Sequence, residues 1–250
     1  MTRVIKLGGR TQNDPQLSSM VGRAVARERV CIVHGGGDEV TALMRQLGRE
    51  PTFVQGRRVT TAEDIAIVRM VLSGTVNKRL VAQFLTARIR AVGLSGEDGG
   101  LLEAHPFGGG SLGAVGEPGR VHTGLIDVLL DAGYLPVISP LARGPAGDAL
   151  NVNGDDAAAA IAGALGASEL LLVADVAGVL DASGTVIPEL CADDVERLVV
   201  SGIATRGMAA KLDAALRALQ LGVVRARIGD LRAIEDDAAG TSILLSPSVV

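Results

Sequence analysis

The chain has 250 residues, 48% of them hydrophobic, with a formal net charge of −4. That is enough apolar material for one large α/β domain or two intimate lobes. No global basic field is present, aromatics are only 2% and tryptophan is absent, which argues against nucleic acid as a partner. The N-terminus shows no apolar signal segment, and no 18-residue apolar stretch runs free of charges or turn signals. The expectation is a soluble, cytoplasmic protein with no membrane association.

In chain order, RVIKL reads as a first strand that carries one lysine, Lys6, and breaks at Gly8-Gly9. A helix is predicted around Gln16–Arg27, then a second strand, RVCIVH, cut off by Gly35-Gly36-Gly37. DEVTALMRQLG resumes helical spacing. The run TAEDIAIVRMVLSGTVNKRLVAQFLTARI reads as one long or two short helices, acidic early and basic late, as the helix dipole favours. IRAVGLSG is a third strand, the glycine-rich piece from Ala104 to Val121 a hairpin excursion, Thr123–Ala132 a helix, and YLPVISPLA a fourth strand.

The second half repeats this grammar. An alanine-rich helix, DAAAAIAGALGA, precedes the apolar strand ELLLVADVAGVL; helices DDVERLVVSGIA and TRGMAAKLDAALRALQLGV follow, then short strands RARIGD and GTSILLS. Such alternation predicts a mainly parallel sheet with helices on both faces. No internal repeat or low-complexity linker is evident, and GPAG at Gly144–Gly147 is the best candidate for a lobe boundary. Cys31 sits in an apolar run and reads as core; Cys191 lies near a helix start. Without metal-like spacing, the two thiols fit a reducing compartment.

Five short stretches carry chemistry. In KLGG, two glycines leave backbone N–H groups open to a phosphate, and alternation lets Lys6 point to the same space; alone, this reads as an edge-strand lysine before an ordinary turn. HGGG repeats the device before a helix N-terminus. Neither loop is a Walker A or Rossmann fingerprint, but two such loops at consecutive ends of parallel strands lie side by side at the ligand-binding edge. GRRVT sets Arg57 and Arg58 before a helix, where a guanidinium fork suits a carboxylate. NVNGDD opens the alanine-rich helix, with Asp155 or Asp156 read as its N-cap. Lys211 stands in an otherwise apolar helix, either snorkelling to water or serving as a second cation of a phosphate clamp with Lys6.

KLGG, HGGG, GRRVT, NVNGD and GMAAK, in that order, resemble the amino acid kinase family, most closely its N-acetylglutamate kinase branch, over nearly the whole chain. The resemblance implies an α/β fold, a three-layer αβα sandwich with an open, mainly parallel central sheet. It implies an N-terminal lobe, residues 1–145, for the acyl acceptor and dimerisation, and a C-terminal lobe, residues 146–250, for ATP. The implied reaction is ATP-dependent phosphorylation of the side-chain carboxylate of N-acetyl-L-glutamate, with Mg²⁺ carried mainly by the nucleotide and no protein metal site.

Carried onto this sequence, the resemblance gives Lys6 and Lys211 the phosphoryl group and Asp155 the positioning of both lysines. Gly8 and Gly9 would contact phosphate oxygens; Gly36, Gly37, Arg58 and Asn151 would hold the acceptor. Asp175, Val176, Ala177, Gly178, Val179 and Leu180, with Ile203, Ala204 and Thr205, would line the nucleotide pocket. His34 would be structural, and His105 and His122 would lie on the surface or a lid. Three residues depart from the family pattern: Arg57, where leucine or tyrosine is usual, Gly154, where alanine is commoner, and Asp156, a second acid. Arg57 keeps an alternative open, a kinase acting on α-aminoadipate or glutamate attached to an acidic amino-group carrier protein. The chain begins directly at its first strand, so the resemblance implies a homodimer insensitive to arginine. A non-catalytic amino-acid sensor on the same fold would have lost a lysine or Asp155, and none is missing.

Overall fold

A computed structural model describes residues 1–54, 56–202, 204 and 206–245. The first half contains β1 (Thr2–Leu7), α1 (Leu17–Val25), β2 (Arg29–His34) and α2 (Gly37–Gln46). A small hairpin of β3 (Phe53–Val54) and β4 (Arg57–Arg58) follows. The long helical run is α3 (Asp64–Arg69), a π-helical stretch over Met70–Val76, and α4 (Asn77–Thr86). Next come β5 (Ala91–Ser95), β6 (Leu102–Pro106), β7 (Val115–Val121), α5 (Gly124–Asp131) and β8 (Leu135–Ser139). Short strands β9 (Leu141–Arg143) and β10 (Ala149–Val152) lead into α6 (Gly154–Ala164) and β11 (Glu169–Val173). The remainder is β12 (Glu189–Cys191), α7 (Ala192–Val200), α8 (Arg206–Gln220), β13 (Arg225–Gly229) and β14 (Thr241–Leu244).

Eight strands form one sheet in the order β12-β14-β13-β11-β1-β2-β8-β5. All neighbours are parallel except β13 and β14, so the open, mainly parallel sheet expected from the alternation is observed. Alternate residues of β1 serve opposite faces. Val4 packs into a core shared with α5, α6 and α8, whereas Ile5 and Leu7 pack into a second core with α1, α2 and the α3–α4 run. Those two cores are the two interfaces of a three-layer sandwich. Lys6 shares the Val4 face and so points at α6 and α8.

Alanine is what brings α6 so close. Ala157, Ala158, Ala159 and Ala162 are fully buried, and their small side chains let the helix lie against β1 and α8. The expected hairpin exists as β6–β7, but it closes with β9 and β10 into a four-stranded ring. The GPAG stretch is the turn of the β9–β10 hairpin, where the Gly144 N–H donates to the Asp148 carbonyl at 2.7 Å. The ring therefore straddles residue 145. Among the described residues, no helix is long and apolar enough to cross a membrane.

Candidate active site

From β1, the chain turns to β2 on one side of the sheet and returns later as β11 on the other. That is a topological switch point, and ligands bind outside the carboxyl ends of the strands there. Lys6-Leu7-Gly8-Gly9 ends β1, His34-Gly35-Gly36-Gly37 ends β2, and Asp175 follows β11, so three loops meet at one edge.

Lys6 is almost completely buried, and its Nζ lies 2.8 Å from an Asp155 carboxylate oxygen. Lys211, from α8, donates to both oxygens of the same carboxylate at 3.1 and 3.0 Å. Burial opposes charge on Asp155, but Lys6 and Lys211 more than reverse that and hold its carboxyl down at about 2. Burial also pushes the Lys6 ammonium below its ordinary value, Asp155 resists, and Lys211 adds repulsion. One carboxylate thus holds two ammonium groups together, with net charge +1 before an anion arrives. The fold brings Lys6, Asp155 and Lys211 together, as the sequence placed them in one group.

The N-cap of α6 corrects the sequence reading. Neither Asp155 nor Asp156 caps the helix; Asn153 does, its side-chain oxygen accepting from the Asp155 N–H at 2.8 Å and the Asp156 N–H at 3.3 Å. Both carboxylates are thereby free for other partners. Gly154 sits against Lys6: a Cβ there would lie 3.2 Å from the Lys6 Cε. A side chain at 154 would require the lysine stem to give by a few tenths of an ångström.

The glycine loops are partly committed to the sheet. The Gly8 N–H donates to the Val173 carbonyl at 3.1 Å, and the Gly35 N–H to the Leu7 carbonyl at 3.1 Å. The Gly8 amide, expected to face a phosphate, is here engaged with the end of β11. Gly9 has open space where a side chain would stand. At Gly36 a Cβ would meet the Leu72 Cδ2 at 2.7 Å and the Val76 Cγ2 at 3.1 Å, so any side chain there would force Leu72 of the π-helical stretch to shift. The first-turn amides of α2 have no helical carbonyl to bond, and they are the donors left for an anion.

Sequence reasoning missed the braces behind these loops. Gln12, fully buried, donates to the Gly35 carbonyl at 3.0 Å and so ties the first loop to the second. His34 is structural as expected. Its Nδ1 bonds the Gly35 carbonyl at 2.8 Å and its Nε2 meets the Asn77 Nδ2 at 3.1 Å. Burial is the main cause that lowers the His34 imidazole to about 4, so it is neutral, donating from Nδ1 and accepting at Nε2. Nothing in the sequence marked Gln12, which lies in a polar stretch. The Asn153 cap was legible from N-cap preferences.

Two cavities adjoin the lysines. The smaller, about 200 Å³, is lined by Gly36, Gly37, Arg58, Leu72, Asn151 and Gly154 among others, so it gathers the residues expected to hold the acceptor. Arg58 is buried under the Phe53 ring, and its Nη2 donates to the Gly37 carbonyl and the Thr41 hydroxyl, both at 2.8 Å. Burial disfavours the Arg58 charge, with Asp38 and Asp64 opposing that. Asn151 donates to the Thr60 hydroxyl at 3.1 Å. The larger cleft, about 730 Å³, runs past Asp155, Asp175, Val176, Met208 and Lys211.

The nucleotide run divides. Asp175 and Val176 border this cleft, and Asp175 pairs with Arg10 at 3.2 Å. Val179 does not line a pocket: its side chain is in the core and its N–H donates to the Thr241 hydroxyl at 2.8 Å. Gly178 packs against Val186 and Thr241, Ala177 is half-buried, and Leu180 bridges to Val186. The Ala204 N–H donates to the Leu198 carbonyl, while Ile203 and Thr205 lie outside the described residues. His105 lies exposed on β6, and His122 pairs with Glu103 at 3.1 Å beside the ring. Cys31 is core, where burial pushes its thiol up to about 12, and Cys191 is the N-cap of α7.

A doubly wound sheet with two glycine loops and a lysine–aspartate–lysine clamp at its switch point defines a phosphotransferase of the amino acid kinase type. The model of the amino acid kinase family matches residues 1–230, and the chain belongs to that family. It is 47% identical over 221 residues to the acetylglutamate kinase of Geobacillus thermodenitrificans, covering 87% of this chain and 85% of that protein. It is 45% identical over 240 residues to the acetylglutamate kinase of Methanopyrus kandleri, covering 92% and 96%. Among solved structures, smu.665 from Streptococcus mutans UA159 superposes with a TM-score of 0.88 at 28% identity, covering 97% of this chain and 98% of that one.

Proposed function

We propose that the protein transfers the γ-phosphoryl group of ATP to the side-chain carboxylate of N-acetyl-L-glutamate, giving N-acetylglutamyl 5-phosphate for arginine synthesis. The observation that carries this reading is the Lys6–Asp155–Lys211 clamp set between a small cavity holding Arg58 and a larger cleft. The similarity to enzymes named acetylglutamate kinase supports the choice of acceptor.

A side-chain carboxylate is ionised near neutral pH and needs no general base. The site must align it with the γ-phosphorus and neutralise charge on the group in flight. Lys6 and Lys211 supply that charge, and Asp155 keeps both ammonium groups in place against their mutual repulsion. The first-turn amides of α2 add donors on the acceptor side. Arg58 would take the α-carboxylate with the N–H groups not spent on Gly37 and Thr41, and Asn151 the amide portion. Asp175, Val176 and the start of α8 would border the nucleotide. Mg²⁺ would travel on the phosphates of ATP and offset their charge. Both oxygens of Asp155 are held by lysine, which leaves that carboxylate poorly suited to a metal.

We assign residues 1–145 to the acceptor lobe and 146–250 to the nucleotide lobe, with Asn151 reaching back into the acceptor cavity, and a homodimer as the assembly. A carrier-bound acceptor is not favoured, because Arg57, the residue that suggested it, is paired with Asp156 at 2.8 Å and only partly exposed. The test is to incubate the protein with Mg·ATP, hydroxylamine and, in parallel, N-acetylglutamate, glutamate, aspartate and α-aminoadipate. Hydroxamate with N-acetylglutamate alone is expected. Hydroxamate with another free acid, or with none, would overturn the choice of acceptor.

A further inference from the structure

Two of the residues that depart from the family pattern touch each other. Asp156, buried on the first turn of α6, forms an ion pair with Arg57 at 2.8 Å through an oxygen that has no hydrogen-bond partner among the described residues, and accepts from Arg217 of α8 through the other oxygen at 3.0 Å. The centre of the Phe107 ring, at the tip of the β6–β7 hairpin, lies 4.6 Å from the Arg57 guanidinium carbon, which sits over the ring. One carboxylate shared by two guanidinium groups leaves positive charge over. Among the described residues, the Arg57 Nη1 is buried and has no hydrogen-bond partner.

Its position narrows what that donor can meet. Gly56, Arg57 and Asn153 border both the acceptor cavity and the nucleotide cleft. Gly56 has no side chain, and the Asn153 side chain is occupied in capping α6. Arg57 is thus the one charged side chain, among the described residues, that borders both spaces. Arg57 therefore stands, with the clamp, where a phosphoryl group passing between the two spaces would come near it. A planar, permanently charged fork suits oxygens arranged around phosphorus. Asp213 and Asp175 also border the cleft, but Asp175 is paired with Arg10 and neither reaches the acceptor cavity.

We infer that Arg57 is a third cationic contact of the transferring phosphoryl group, held in register by Asp156 and Phe107, a role that rests on the kinase reading above. During transfer its free N–H would bond an equatorial phosphoryl oxygen while the Asp156 bridge keeps the guanidinium from swinging to solvent. Such a contact forms most strongly in the transition state, so its loss falls on kcat rather than on binding.

The test is steady-state hydroxamate kinetics with N-acetylglutamate and Mg·ATP on the wild type, Arg57→Met and Arg57→Lys, after thermal melts confirm that each variant is folded. For Arg57→Met, kcat should fall by about 10- to 100-fold with both KM values within threefold. Arg57→Lys, which keeps the charge, should recover part of the loss. A structural pair alone would show a lowered melting temperature with kcat unchanged, or no rescue by lysine, and either result overturns the inference. A tenfold rise in acceptor KM at constant kcat would overturn it too, by placing Arg57 on the acceptor. Absence of wild-type turnover would instead overturn the kinase reading, and this role with it.

Discussion

At the residue scale, the site is built around a buried carboxylate that is ionised because two lysines make it so. Asp155 alone, in that environment, would favour its neutral form; Lys6 and Lys211 hold it at about 2. Replacing Lys6 or Lys211 with methionine removes one ammonium and leaves the volume nearly unchanged. Each should lower kcat by roughly two orders of magnitude or more, the scale of a lost transition-state contact; near-normal turnover in both variants would contradict the clamp. Arg58→Ala should act differently. It should raise KM for the amino-acid acceptor and spare KM for ATP, and an equal rise in both would remove Arg58 from the acceptor cavity. The motifs made these residues legible, because each is fixed by its own strand or helix. The Asp156 pairing was not legible, since Arg57 and Arg217 are distant from it in sequence and only the fold joins them.

At the element scale, loops and helix starts are held by side chains that sequence pattern does not reveal. Gln12 and His34 both bond the Gly35 carbonyl, and Asn77 holds the far side of the imidazole. His34 is buried neutral, with its imidazole lowered from 6.5 to about 4. The unfolded chain therefore takes up this proton at higher pH than the folded one, so stability should be lost as pH falls from about 6.5 to about 4. Melting temperature should drop more steeply between pH 7 and 5 in the wild type than in His34→Gln; parallel profiles would contradict this. Gly36 meets the π-helical stretch so closely that Gly36→Ala should strain Leu72 and Val76, at about 1–3 kcal/mol for an overpacked site. Because Gly36 and Leu72 both line the cavity that holds Arg58, proposed to take the acceptor, acceptor KM should rise as the melting temperature falls. A change in neither would mean the loop moves freely. The helical run was read as one long or two short helices, and the π-helical segment that joins its two α-helical parts carries no compositional signal.

At the scale of the whole molecule, strand–helix alternation was enough to predict a parallel sheet, because each crossover needs a helix between parallel neighbours. Strand order was not legible. That β14 reverses beside β13 and pairs with β12 at the edge depends on contacts between distant segments. The same is true of the ring that β9 and β10 close around the hairpin. The switch point between β2, β1 and β11 gives the molecule its function, since it sets both glycine loops and the clamp at one edge.

In the proposed reaction a side-chain carboxylate oxygen of N-acetylglutamate attacks the γ-phosphorus. That attack is tested most directly with N-acetylglutamate carrying ¹⁸O only in that carboxylate, allowed to react with Mg·ATP and then cleaved by hydroxylamine. Inorganic phosphate carrying one ¹⁸O is expected, because hydroxylamine attacks carbon and the bridging oxygen leaves with phosphorus. Phosphate without the label would contradict that attack, and would mean that water or another group receives the phosphoryl.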